Sequence, residues 1–234
     1  MLINLIILFL FIIFFSLNIF ADAKRRAELG TVTKPLLVPS IILFYALNTE
    51  NMDKLLIMAL FFGFIGDVVL LGREKLFIYW GMAAFLTGHI FYTVTFVNSI
   101  DNFHVINPWF YLMIMPYLIY GSFMIGYLWK NIKVSSGGKL LISTMIIYMC
   151  ALFAMSFTSL CRLWTAFNAG TLLPFIGSLF FISSDSYLAC QIVKEKLNYV
   201  QTYYKKSNID TMEVIIMVTY VVAQSLIMLG FLFQ

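Results

Sequence analysis

Charge is scarce in this chain. Only 11% of the 234 residues are Asp, Glu, Lys or Arg, against about 25% in a soluble domain. That excludes an ordinary water-soluble globule. Cysteine is scarce as well. Cys150, Cys161 and Cys190 have no paired spacing, which excludes a disulfide framework or a cysteine metal site and leaves small core residues. The basic excess is a formal +4. That suits a protein facing anionic lipid on one side, and nothing points to a nucleic-acid partner.

Long apolar runs are abundant, and 62% of the residues are hydrophobic. The expectation is an all-α, polytopic transmembrane bundle of about eight helices forming one domain over residues 1–234. Residues 1–21 form the first run. Ala21-Asp22-Ala23 resembles a cleavage site, but no basic residue precedes the run and Lys24-Arg25-Arg26 follows it. This predicts a retained first helix rather than a signal peptide. Hydropathy places further spans near 34–48, 54–72, 76–97, 108–130, 139–160, 168–192 and 212–233. The second opens on Lys34-Pro35, and proline suits a first helical turn.

The basic residues supply an independent check. Thirteen of the fifteen flank alternate loops: Lys24, Arg25, Arg26 and Lys34; Arg73 and Lys75; Lys130, Lys133 and Lys139; Lys194, Lys196, Lys205 and Lys206. Only Lys54 and Arg162 fall in the others. The asymmetry puts the first set in the cytoplasm and both termini outside. The expected localisation is a multi-pass integral membrane protein, in the cell membrane of a bacterium or the endoplasmic reticulum of a eukaryote.

Two carboxylates break the apolar pattern. Asp67 is the only charged residue from Leu55 to Gly72, and Asp185 the only one from Leu163 to Val193. Each costs roughly 2.5–3.5 kcal/mol at the centre of a bilayer, so each marks a functional site. Counted from the span ends, both lie about 8–10 Å below the cytoplasmic surface. Small residues accompany both: Gly63 and Gly66, then Gly177 and Ser184. This hints at a duplication of two four-helix halves. Other polar groups recur at helical spacing inside apolar spans. Gly81, Phe85, Gly88 and Tyr92 make a stripe with His89 beside it; Tyr148 lies in the sixth span; Tyr220 and Gln224 are four apart in the eighth. A membrane histidine is more often a helix-to-helix tie than a catalyst, and interfacial tyrosines are usually belt residues. The aspartates resist the bland reading best, because apolar packing would serve a purely structural role at lower cost.

Lys34-Pro35, Gly66-Asp67, Gly88-His89 with Tyr92, Ser184-Asp185, and Tyr220 with Gln224 together resemble the YhhN-like family of membrane proteins, the lysoplasmalogenases. The resemblance runs from about Lys34 to Gln224; the first span lies outside it. It implies hydrolysis of the vinyl ether of lysoplasmalogens to a fatty aldehyde and glycerophosphoethanolamine or glycerophosphocholine. It implies no metal or organic cofactor, and partners limited to a lysophospholipid substrate and membrane lipid. The chemistry suits the residues independently. Protonation of the β-carbon gives an oxocarbenium ion, which water traps as a hemiacetal that collapses to aldehyde and alcohol. One protonated and one ionised carboxyl would serve, and two acids in a low-dielectric site can divide those roles. Which acid is which is not fixed by the sequence; Asp185 is the working choice for the proton donor. Lys34, expected at the membrane surface, would hold the phosphate. His89, Tyr92, Tyr148, Ser184, Tyr220 and Gln224 would orient the ether and water.

Three other classes compete. A non-catalytic membrane scaffold would not need two acids at equal depth. An intramembrane aspartyl protease uses Gly-x-Gly-Asp, whereas this chain reads Gly63-Phe64-Ile65-Gly66-Asp67, one residue too long, and has no Tyr-Asp element. A proton-coupled carrier could use the same two aspartates, but no span is clearly broken at mid-membrane; Pro116 and Pro174 are the only candidates.

Overall fold

The computed structural model describes residues 2–72, 75–100, 106–132, 138–198 and 211–234. Among the described residues eight α-helices follow one another: α1 Leu2–Lys24, α2 Ala27–Asn48, α3 Lys54–Leu70, α4 Lys75–Asn98, α5 Met115–Asn131, α6 Gly138–Thr165, α7 Ala169–Asn198 and α8 Thr211–Leu232. Seven segments, α1, α2, α4, α6, α7, α8 and the 108–131 stretch that contains α5, are long and apolar enough to cross a membrane. α3 has 17 residues, about 25 Å, a little short of the ~30 Å hydrocarbon layer. The chain is therefore an all-helical polytopic bundle. Arg73, Lys133, Lys205 and Lys206, which carry part of the orientation argument, lie outside the described residues.

Local sequence explains the ends. Arg25 at φ 53 closes α1. The Arg26 N–H donates to Ala21 O at 2.8 Å and the Arg25 N–H to Asp22 O at 3.2 Å, the two bonds of a left-handed helix stop. Asp53 caps α3, accepting from the Leu55 and Leu56 N–H groups at 2.8 and 3.1 Å. Asn107 caps a 3-10 turn, Pro108–Ile114, that runs directly into α5. Pro116 sits in the first turn of α5, where its missing N–H leaves no bond broken.

One boundary differs from the sequence expectation. The second helix starts at Ala27, not Lys34, and Pro35 and Pro39 both lie inside it. Lys34 is thus about two turns into the helix rather than at its first turn. Pro35 costs the bond to the Thr31 carbonyl, but packing against α1 and α3 holds the segment helical. The buried Asn18 amide donates to Thr33 Oγ1 at 3.1 Å from the facing helix. Similarly, Pro174 is accommodated inside α7.

The sequence-adjacent pairs α3/α4 and α7/α8 pack antiparallel. α3 meets α4 through Gly66 with Phe85 and Gly88 with Ala59, and α7 meets α8 through Gly177 with Ala223 and Gly170 with Gly230. α3 is also antiparallel to α8, so α4 and α8 are parallel to each other. The core gathers around α4 and α8: Tyr45, Leu56, Leu60, Phe85, Tyr92, Phe96, Met155, Phe181, Tyr220 and Ile227 pack into one buried cluster. A smaller cluster, Met82, Leu128, Ile132, Ile142, Met145 and Val193, ties α4 to α7 at the other end. α5 is the outlying helix, touching only α6, α7 and its own 3-10 turn in any extent.

Candidate active site

The nine sequence-predicted residues fall into two clusters and one tie. The first cluster surrounds Asp67, which is 2% exposed. Tyr220 donates to its Oδ2 at 2.8 Å, and Lys34 Nζ lies 3.7 Å from its Oδ1. The chain of donors extends further. Gln224 Nε2 donates to the Tyr220 hydroxyl at 3.1 Å, and the Tyr92 hydroxyl donates to Gln224 Oε1. Every donor points toward Asp67. Such a one-way series ends naturally on an ionised carboxylate, and Lys34 supplies its counter-charge. Close approach at Gly63 permits it, since a Cβ there would stand 2.7 Å from Gln224 Nε2.

The second cluster surrounds Asp185. Tyr148 donates to its Oδ2 at 2.7 Å. His89 Nε2 lies 2.9 Å from the Tyr148 hydroxyl and 3.3 Å from the same Oδ2. Tyr148 has one proton, given to Asp185, so Nε2 carries the hydrogen and faces both oxygens. Nδ1 is then a buried acceptor without a protein partner. Among the described residues Asp185 pairs with no Lys or Arg, and its Oδ1 has no protein partner.

No hydrogen bond joins the two carboxyl groups among the described residues. Phe181, 1% exposed, stands between the clusters. Its ring centroid is 5.2 Å from His89, 6.0 Å from Tyr92 and 5.8 Å from Tyr220. Phe85 seals the same boundary, edge-on to Tyr220 at 5.9 Å. A Cβ at Gly66 would be 2.6 Å from its ring. Ser184, the remaining predicted residue, is buried and donates to the Ile216 carbonyl of α8 at 3.1 Å, an interhelical tie.

Of the two acids, Asp185 lines a cleft. This apolar cleft lies between α4, α5, α6 and α7, with Asp185 and Tyr148 on its wall and Met82, Met124, Met145 and Leu188 among its lining. Asp67 and Lys34 do not line it. Phe85 was marked as part of the Gly81–Tyr92 stripe but not read as a partition, and Phe181 escaped prediction among 24 phenylalanines; its position one helical turn before Asp185 was the available signal. Among the described residues no three of His, Cys, Asp or Glu converge to hold a metal ion.

These features describe a polytopic membrane protein with two embedded carboxylates, each hydrogen-bonded by aromatic side chains. The chain belongs to the YhhN family, whose model matches residues 29–231. No curated protein and no solved structure matches it.

Proposed function

We propose that the protein is a membrane-embedded hydrolase that cleaves the vinyl ether bond of a lysoplasmalogen. The observation that carries this reading is the Asp185 carboxyl on the wall of an apolar intramembrane cleft, with Oδ2 engaged by Tyr148 and Oδ1 without a partner among the described residues. The methionine and leucine lining suits an alkenyl chain, because a chain leaving lipid for such a wall loses little and gains close contacts. Family membership is consistent with it and does not by itself define a substrate.

In this reading Asp185 acts in its carboxylic-acid form and gives its proton to the β-carbon of the vinyl ether. The double-bond electrons form the new C–H bond, and the ether oxygen shares the positive charge of the resulting oxocarbenium ion. The Asp185 carboxylate faces that cation. Water then adds its oxygen to the α-carbon while its proton returns to Asp185, and the hemiacetal collapses to aldehyde and the glycerophospho-alcohol. His89 and Tyr148 hold the carboxyl in place throughout. Asp67, committed to Lys34 and Tyr220 behind the Phe85 and Phe181 rings, is a fixed-charge anchor that positions the α3–α8 wall rather than a second reacting acid.

The test is detergent-purified protein incubated with 1-alkenyl-lysophosphoethanolamine, with released aldehyde measured. Turnover lost in Asp185→Asn is the expected result. A hydrolase works without a sealed vesicle, so absence of aldehyde from folded wild-type protein would overturn the reading and leave the proton-coupled carrier.

A further inference from the structure

The cleft holds one polar feature that neither cluster uses. Tyr120 of α5 donates to Ser186 Oγ of α7 at 2.7 Å, and both residues line the cleft beside Asp185. Ser186 in turn donates to the Ile182 carbonyl at 2.6 Å. Both protons are therefore assigned, and what the pair still offers is acceptor capacity on two hydroxyl oxygens. Tyr120 is partly open, at 37% exposure, on the helix that packs least against the others. Apart from Asp185 and Tyr148, the rest of the lining is Met, Leu, Ile, Ala and Phe, so these two oxygens can meet a donor a few bonds from the scissile ether.

We infer that the Tyr120–Ser186 pair is the subsite for a free hydroxyl on the glycerol of the lipid, beside the ether that Asp185 protonates. This rests on the vinyl ether hydrolase reading. The hydroxyl on the central glycerol carbon is two carbons from the ether oxygen, and it is a donor only when no second chain is esterified to it. The same contact that orients the ether then selects a single-chain lipid over a two-chain one. A site built to bond a hydroxyl rejects an analogue lacking it more strongly than an apolar wall rejects an added group.

The experiment uses the full chain in mixed micelles with three probes: a 1-alkenyl-lysophospholipid, its 2-deoxy analogue and its 2-O-methyl analogue. Wild type is expected to favour the hydroxyl form by about tenfold or more in kcat/KM, as a lost hydrogen bond in a site of this kind predicts. In Tyr120→Phe and in Ser186→Ala that ratio falls toward one. Because the ratio is internal to each sample, a partly unfolded preparation does not disturb it. A ratio held at the wild-type value in both variants would overturn the subsite and leave the pair as an interhelical tie. Cleavage of all three lipids at equal rates by wild type would overturn it too, with the hydrolase reading intact. No cleavage of any of them removes both.

Discussion

The two aspartates sit in equivalent places and in opposite environments. Counting the helices as two sets of four, each acid lies on the third helix of its set. Each is held by the second helix of its own set and the fourth of the other: Asp67 by Lys34 and Tyr220, Asp185 by Tyr148 and His89. Yet Asp67 has a lysine beside it and does not line the cleft, whereas Asp185 lines the cleft and, among the described residues, pairs with no lysine. The same scaffold position thus gives a charge that is neutralised in place and a carboxyl that faces a cleft. The lesson is that membrane depth does not assign chemistry to an acid. The counter-charge and the accessible volume do.

The largest expected effect falls on Asp185. Asn keeps the shape but carries no acid proton, so Asp185→Asn is expected to lower kcat by about 10²–10⁴, the usual worth of a general acid. Asp67→Asn, in protein matched for folding, is expected to lose far less. Equal losses would break the comparison and restore two reacting acids.

Next comes the wall between them. Phe181→Ala opens a cavity among His89, Tyr92 and Tyr220, with an expected loss of about 3–5 kcal/mol. Thermal unfolding in detergent would read it, and an unchanged melting temperature would mean that the ring is not the partition.

Much of this was legible beforehand. The helices were visible because an apolar run of membrane length admits few alternatives, and the alternation of basic loops fixed their count. Of the seven residues predicted around the two acids, Lys34, Tyr220, Tyr148 and His89 contact one directly, and Tyr92 and Gln224 reach Asp67 through Tyr220. Their helical spacing carried that information, since Tyr220 with Gln224 and His89 with Tyr92 share faces. What spacing cannot give is which face meets which. One common depth allowed a single coupled pair, while the fold divides them through Phe85 and Phe181. The start of α2 was missed because Pro35 reads locally as a first-turn proline, and tertiary packing outweighs that preference. Ser184 resembled a site residue only by adjacency to Asp185.

A smaller effect sharpens the Asp185 side. Tyr148→Phe removes the hydroxyl proton that Oδ2 accepts and leaves His89 as its only remaining partner. Hydrogen bonds to charged groups are worth about 1.5–3 kcal/mol, so kcat is expected to fall roughly tenfold to a hundredfold. Tyr220→Phe, the matching change at Asp67, is expected to appear in stability instead. Reversal of that pattern in activity and melting measurements would exchange the roles of the two acids.

The smallest effect decides what Lys34 does. As a phosphate holder at the membrane surface, its loss would raise KM and leave stability alone. As the counter-ion of Asp67, its loss strands a buried carboxylate, and the loss of Asp67 strands the lysine. Removing one member of a buried pair is more damaging than replacing both, and the partial exposure of Lys34 reduces that penalty here. Lys34→Met and Asp67→Asn are each expected to cost about 1–3 kcal/mol, with the double variant recovering about 1 kcal/mol relative to their sum. Lys54→Met, at the far end of α3, is the control and is expected to change nothing. Unfolding of the four proteins in detergent gives the coupling directly. A coupling of zero, together with a raised KM for Lys34→Met alone, would take Lys34 away from Asp67 and return it to the phosphate, and Asp67 would then need another counter-charge.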